Sequence, residues 1–424
     1  MRILALTWKH PLDRTAGGAE RYLVEVCRRW VSAGNEVTIF GPRLPAHLEL
    51  TEDHLGVDLA YVGKGSRLTV FPAARRYLRA KGHLYDRVLE TVSTRPFAAH
   101  RIVGDKAVAL YYQTAEEVWT LEYPLPIALL GRHFLEPRWV GQMCTAHVVA
   151  ISASTALALQ RFGVNCLGVV PPGCDAPETL PVRSAPGDRP RLLWIGRLVQ
   201  TKRPNDALAA LALVRNRIPG ATLDLVGGGY LQAQLATKRQ PGVTIHGPVS
   251  EQEKRYLLAQ TDILLVPGTR EGWGIVAMEA AAYGVPVVAY DVAGLRDAVV
   301  DRVTGVLVPP NTSALAAAAC EVLTERRTWH RLSVAARQRA LSFSWDRCAS
   351  DLLRLLLPPG VSHPSHTRDS QTDMPIQGCV RYAQGGASIQ VTAPESSSPR
   401  MSPRPSSPLG LSRSPRTSSP MHPK

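Results

Sequence analysis

Pro267-Gly-Thr-Arg-Glu-Gly-Trp-Gly-Ile-Val-Ala-Met-Glu279 follows an apolar run, Ile263 to Val266, of the kind that fills a strand buried on both faces. Three glycines, Gly268, Gly272 and Gly274, lead into an Ala-rich segment that reads as a helix. A strand, a glycine turn and a helix start together form an anion site. The first backbone N–H groups of a helix have no intrahelical acceptor, and the helix dipole adds positive potential there. Glu271 lies in the turn and Glu279 eight residues on, so both carboxylates can face a ligand held at the helix start. A turn that serves packing alone, with a solvated Glu271, fits the same residues equally well. The rest of the chain has to separate the two.

Working outward from this turn, a βα series opens at Arg191 to Ile195 and runs through the loop Gly196-Arg-Leu-Val-Gln-Thr-Lys202 into an Ala/Leu-rich helix. The strand Thr222 to Val226, the triplet Gly227-Gly-Gly229, the strand Val243 to His246 and a helix from about Ser250 come next, that helix opening on a Ser250-Glu-Gln-Glu253 capping box. Beyond the turn, Gly284-Val-Pro286, the strand Val287 to Tyr290, Gly294 and Gly305-Val-Leu-Val308 complete the pattern. Arg197 and Lys202 follow the first strand of this series, at the edge where open α/β sheets take ligands. Singly, each reads as a surface charge; as a pair beside the glycine turn they suit a diphosphate, whose charge grows as it leaves.

The N-terminal half has the same grammar. Arg2 to Trp8 reads as a buried strand, Gly17-Gly-Ala-Glu20 as a glycine loop, and Tyr22, Leu23, Val26, Cys27 and Trp30 as one face of a helix stopped by Gly34. Glu36 to Phe40, Val88 to Ser93, Ala107 to Tyr112 and Val148 to Ser152 are further strands, and Ser152 or Ser154 is a suitable N-cap. Val169-Val-Pro-Pro-Gly173 ends this half as a hinge, and residues 174–190 read as a linker. The expected fold is α/β, two Rossmann-like domains facing a cleft: residues 1–172, then 173–342. Residues 343–357 are expected to form a helix turning back towards the first domain, and the Ser/Pro/Arg-rich tail 358–424 to be disordered.

The chain has 424 residues, 45% of them apolar, and a formal charge of +14, which invites anionic partners. Arg67, Arg75, Arg76, Arg79, Lys81 and Arg87, interleaved with Leu68, Val70, Phe71, Tyr77 and Leu78, form a basic amphipathic segment. It reads either as a contact with an anionic membrane or as a solvated helix face. No aromatic cluster for base stacking accompanies the charge, so nucleic acid is not expected as a partner. The seven cysteines are scattered without a C-x-x-C pair, and the N-terminus runs straight into a strand. A cytoplasmic protein, peripheral on a membrane at most, is the expectation.

Gly196-Arg197-Leu198 with Lys202, Val226-Gly-Gly-Gly229, and Glu271-Gly-Trp-Gly-Ile-Val-Ala-Met-Glu279, in that order, resemble the nucleotide-sugar half of the family 4 glycosyltransferases of GT-B fold. Gly17-Gly-Ala-Glu20 matches that family's N-terminal glycine loop, and the likeness covers the chain up to Leu357. The resemblance implies a retaining enzyme that moves a hexose from a UDP-, GDP- or ADP-sugar to a hydroxyl of a glycan, lipid or small molecule, without a metal or other cofactor. Arg197 and Lys202 would bind the diphosphate and Glu279 the ribose. Glu271 would contact the transferred sugar, with the backbone of Gly274, Ile275 and Val276 at sugar and phosphate. The backbone at Pro248 and Val249 would meet the base, and Gly18 would approach the diphosphate. The family stretch matched by Leu110-Tyr-Tyr-Gln-Thr114 usually carries a histidine before the glutamine; here Tyr112 precedes Gln113. These two residues and His100 are candidate sugar or acceptor contacts. A nucleotide-sugar epimerase and a catalytically silent nucleotide-binding protein of the same fold are the alternatives.

Overall fold

Among the described residues thirteen parallel strands form two sheets, and their order places the loops that matter. In the first, β1 (Arg2–Leu6), β2 (Glu36–Gly41), β3 (Ala60–Gly63), β4 (Arg87–Val92), β5 (Ala107–Tyr111), β6 (His147–Ala150) and β7 (Cys166–Val169) are arranged β3-β2-β1-β4-β5-β6-β7. In the second, β8 (Arg191–Ile195), β9 (Thr222–Val226), β10 (Val243–Gly247), β11 (Ile263–Val266), β12 (Val287–Tyr290) and β13 (Gly305–Val308) are arranged β10-β9-β8-β11-β12-β13. The computed structural model describes all residues except 12, 14–15, 44–59, 178–183, 238–239 and 358–424. The tail expected to be disordered lies outside the described residues. Both sheets belong to one compact unit.

Strand β11 is apolar along its whole length because it is covered on both faces, and Ile263 to Leu265 are at most 1% exposed. Each sheet reverses its winding once, between β1 and β4 and again between β8 and β11. Loops leaving neighbouring strands in opposite directions at such a point leave a crevice at the carboxyl edge. The loop from Gly196 and the glycine turn from Pro267 flank the crevice of the second sheet.

The halves are joined by a helix pair. Helix Gly18–Ser32 buries Tyr22, Leu23, Val26, Cys27 and Trp30. Helix Trp345–Leu356, capped by Ser344, lays Trp345, Cys348, Ala349 and Leu352 against that stripe. The Trp30 indole N–H donates to the Ala349 carbonyl at 2.9 Å, satisfying a polar group that burial would otherwise orphan. Gly173 permits the crossing, since a Cβ there would lie 2.2 Å from the Trp345 backbone nitrogen. After β5 come short helices, Glu117–Glu122, Leu125–Leu130 and Glu136–Gly141, the last two joined by a π turn at Gly131–Leu135. The sequence reading did not resolve these helices. No helix among the described residues is long and apolar enough to cross a membrane.

Candidate functional site

The turn after β11 opens helix Ile275–Ala282 from Gly274, whose φ of +95° suits glycine. Backbone N–H groups of Ala277 and Met278 return to the Gly274 carbonyl, while those of Ile275 and Val276 have no backbone acceptor among the described residues. The turn is strapped to its neighbours. Thr269 N–H donates to the Thr201 carbonyl at 2.9 Å, and Glu271 N–H to the Ala293 carbonyl at 3.2 Å. These straps bring Lys202 onto Glu271, which pair directly, each side chain about one-fifth exposed. The two residues belong to loops after adjacent strands, so a distance of 69 positions in sequence closes to an ion pair at the switch point.

The glycine triplet acts by letting two loops pack closely. A Cβ on Gly227 would lie 1.9 Å from the Gly196 carbonyl oxygen, and one on Gly229 would lie 2.3 Å from that of Leu198. These glycines let the loop after β9 pack on the loop after β8 and thereby set the course of the backbone that carries Arg197 and Lys202. Arg197 is exposed, and no ion pair forms on it among the described residues. Val249 is half-buried beside Pro248, just before the helix Glu251–Gln260 capped by Ser250.

Glu279 lies further along the helix in a second cluster. Arg21 of the N-terminal half pairs with Glu279 and, through its other nitrogen, with Asp175 at 2.6 Å. Lys254 approaches the same Glu279 oxygen at 3.0 Å. Burial alone would lower the Arg21 pKa, but the carboxylates of Glu279 and Asp175 outweigh it and raise the value, so the guanidinium stays charged. Sequence reasoning missed both cations. Arg21 is three residues after Gly18 on its helix, a signal that becomes meaningful only once the halves are docked. Gly18 itself faces the second half: a Cβ there would lie 2.7 Å from Ile275 Cδ1.

A third cation was also missed. Lys9, beyond the end of β1, is 6% exposed, with its ammonium 3.9 Å from Glu20 Oε2. Burial depresses its pKa, Glu20 opposes the shift, and the positive charge of Arg197 across the crevice depresses it further. Glu20 is held in place by the Gly17 N–H, which donates to it at 2.8 Å. Lys9 and Arg197 thus repel each other, a repulsion that an anion between them would relieve.

The buried Arg270, within the turn, bridges to the N-terminal half. It donates to the Thr114 carbonyl at 2.9 Å, to the Thr114 hydroxyl at 2.7 Å and to Glu116 at 2.8 Å, and meets Glu117 at 3.2 Å. Burial works against ionising Glu116, but the Thr114 hydroxyl, Arg270 and Arg161 together hold its pKa below the usual range. Glu122 adds a further bond, accepting from Thr201 N–H at 2.8 Å. A cavity at this bridge, lined by Ser154, Gln160, Arg161, Arg270, Asp291 and Arg296, contains none of the residues nominated from sequence.

The three candidate contacts of the N-terminal half fare differently. Tyr112 is 7% exposed, its ring edge-on to Tyr22, and its hydroxyl donates to the Ala19 carbonyl at 2.8 Å. It buttresses the glycine loop from within the core, its hydroxyl proton committed to that loop's backbone, where the sequence nominates it as a sugar or acceptor contact. Gln113 is half-buried where the chains cross, between Thr114 and the Tyr112 carbonyl on which Gly272 packs. His100 heads the short helix His100–Val103 beside the backbone of Gln142, and burial lowers its pKa. Neither of its ring nitrogens has a hydrogen-bond partner among the described residues, so no bond links it to the Lys202–Glu271 pair.

Two family models match adjoining parts of the chain: "Glycosyltransferase Family 4" over residues 16–177 and "Glycosyl transferases group 1" over residues 175–339. Among curated relatives, a glycogen synthase of Mycobacterium tuberculosis is 27% identical over 84% of this chain and 94% of that protein. A GDP-mannose-dependent alpha-(1-6)-phosphatidylinositol monomannoside mannosyltransferase of the same organism is 28% identical over 84% of this chain and 98% of its own length. Among solved structures, the sucrose-phosphate synthase of Thermosynechococcus elongatus superposes with a TM-score of 0.66 at 20% identity, covering 84% of this chain and 98% of that one. That last likeness concerns the fold.

Proposed function

The chain belongs to the family 4 glycosyltransferases of GT-B fold, which use nucleotide-sugar donors, and we propose that it transfers a hexosyl group with retention of anomeric configuration. The acceptor is a hydroxyl of a glycan or lipid-linked molecule. The observation that carries this reading is the Lys202–Glu271 pair beside the open start of helix Ile275–Ala282, with the positive charges of Arg197 and Lys9 acting on each other nearby.

The diphosphate lies between these cations, where Arg197 and Lys202 bind it and stabilise the charge that develops on it as the glycosidic bond breaks. The N–H groups of Ile275 and Val276 point at the phosphate or the sugar. Lys202 shares its charge between phosphate and Glu271, and Glu271 accepts hydrogen bonds from hydroxyls of the transferred hexose. Glu279 accepts from the ribose, with Arg21 and Lys254 fixing its carboxylate, and the backbone at Val249 meets the base. Gly18 lets the first half approach the diphosphate. With this many positive groups converging, leaving-group charge is neutralised by protein, and no metal is invoked. The acceptor hydroxyl attacks from the face the diphosphate leaves, and the departing phosphate oxygen takes its proton.

The test is product formation from a panel of UDP-, GDP- and ADP-hexoses with glycan and lipid-linked acceptors, the product anomer read by proton NMR. Glu271→Ala should lose roughly a hundredfold or more in kcat/KM. Equal activity in the variant, a product of inverted configuration, or conversion of the donor to its epimer with no acceptor consumed would contradict the proposal.

A further inference from the structure

The basic segment, which reads either as a membrane contact or as a solvated face, forms helix Val70–Lys81, and its apolar face is already occupied. Val70, Phe71, Ala74 and Leu78 are buried against the first sheet, so this helix has cations to offer a surface but no apolar stripe. The apolar surface lies elsewhere on the same side. Helix Leu125–Leu130 with its π turn exposes its large residues and buries its small ones. Leu125 is 65% exposed and Phe134 68%, with Ile127, Leu129 and Leu130 between them also exposed. Ala128 is fully buried, and a Cβ on Gly131 would lie 2.2 Å from the Trp119 ring. Folding alone favours the opposite orientation, because burying leucine and phenylalanine stabilises far more than burying alanine. A contiguous exposed apolar cluster of this kind marks an interaction surface.

Both elements cover one face of the sheet. Val88 packs with the basic helix and Val92 with the cluster beneath Val140, and alternate residues of β4 share a face. Arg95 joins them, its guanidinium 4.6 Å from the Phe71 ring centre and 5.8 Å from that of Trp139. The charge on this face has one sign. Arg76, Arg79, Arg95, Arg132 and Arg138 are exposed, and Arg75 lines a shallow groove with Arg76, Arg79 and Pro72. The one acid of Leu125–Gly141, Glu136, is 1% exposed and turned inward onto the Ala115 and Glu116 N–H groups. A second copy docked through the same face would set arginines against arginines.

We propose that this face seats on an anionic lipid bilayer, the Leu125–Phe134 tip inserted at the level of the upper acyl chains and the arginines at the headgroup phosphates. The surface adjoins the crevice through helix Glu117–Glu122, whose Glu122 is bonded to Thr201 beside Lys202. The proposal does not depend on which donor or acceptor the crevice takes. Flotation of the full-length chain with phosphatidylcholine vesicles, with and without phosphatidylglycerol, tests it. The wild type should float with the anionic vesicles only. Arg76→Glu/Arg79→Glu should bind roughly tenfold or more weakly, with the residual binding less sensitive to salt than that of the wild type. Leu130→Ser/Phe134→Ser should float at low salt and detach when salt is raised. Thermal protection by nucleotide-sugar, or the melting temperature alone should no donor protect, is expected to match the wild type in both variants and reports an intact fold. Absence of flotation by the wild type would overturn the proposal, as would flotation of both variants like wild type, the result if the basic tail were the anchor. A concentration-dependent oligomer dispersed by Leu130→Ser/Phe134→Ser with no change in flotation would also overturn it, assigning the face to a second copy.

Discussion

Glu90 carries its carboxyl into the core of the first sheet, 1% exposed, where Oε1 accepts from the Ala99 N–H at 3.3 Å and Oε2 has no partner among the described residues. Burial pushes its pKa up to about 7, against the pull of the Phe97–Ala99 backbone and Arg75. A carboxyl with a raised folded-state pKa keeps its proton where the unfolded chain has lost it. Stability should therefore fall as pH rises from about 4.5 to about 7, by about 3 kcal/mol at most. Glu90→Gln should flatten that dependence in denaturant titrations at stepped pH; an unchanged slope would assign it to other groups. Tyr112→Phe removes only the bond to Ala19 and should cost about 1 kcal/mol with kcat nearly unaltered. A large loss of kcat at unchanged stability would restore Tyr112 as a ligand contact. Lys202→Ala should lower kcat/KM roughly a hundredfold in initial-rate measurements, because the leaving diphosphate loses a directly placed cation.

The turn from Pro267 to Glu279 was legible because strand, glycines, carboxylates and helix start are contiguous, and local chain rules suffice to read them. The pairing of Glu271 with Lys202 was legible only through a resemblance, since no local rule sets two loops 69 residues apart side by side. The helices between Glu117 and Gly141 were not legible for a physical reason. They are one or two turns long, interrupted by a π turn, and expose large apolar residues, so no 3.6-residue burial pattern exists to find. Arg270 was passed over as one more charge in a glycine turn, yet it is buried and donates to three residues of the other half. Arg270→Leu should cost about 3 kcal/mol in chemical denaturation, because Thr114, Glu116 and Glu117 lose their shared donor inside the interface. A change below about 1 kcal/mol would mean the bridge is replaced by solvent.

Over the whole molecule, the two sheets meet through the helix pair behind the crevice and through Arg21–Glu279, Arg270–Glu116 and Glu122–Thr201 around it. The sequence disclosed both Rossmann-like halves because each repeats the strand–glycine–helix pattern. It did not disclose the polar contacts around the crevice, which join residues more than 75 positions apart. The consequence is a crevice in which charges from both halves converge, and the central claim is that a nucleotide-sugar occupies it. Calorimetric titration of UDP-, GDP- and ADP-hexoses into the wild type and Lys202→Ala tests that claim most directly. The account predicts that at least one donor binds the wild type in a single site and binds the variant at least roughly tenfold more weakly, the expected cost of losing a charged hydrogen bond. Absence of binding by every donor, or equal affinity in the two proteins, would contradict it.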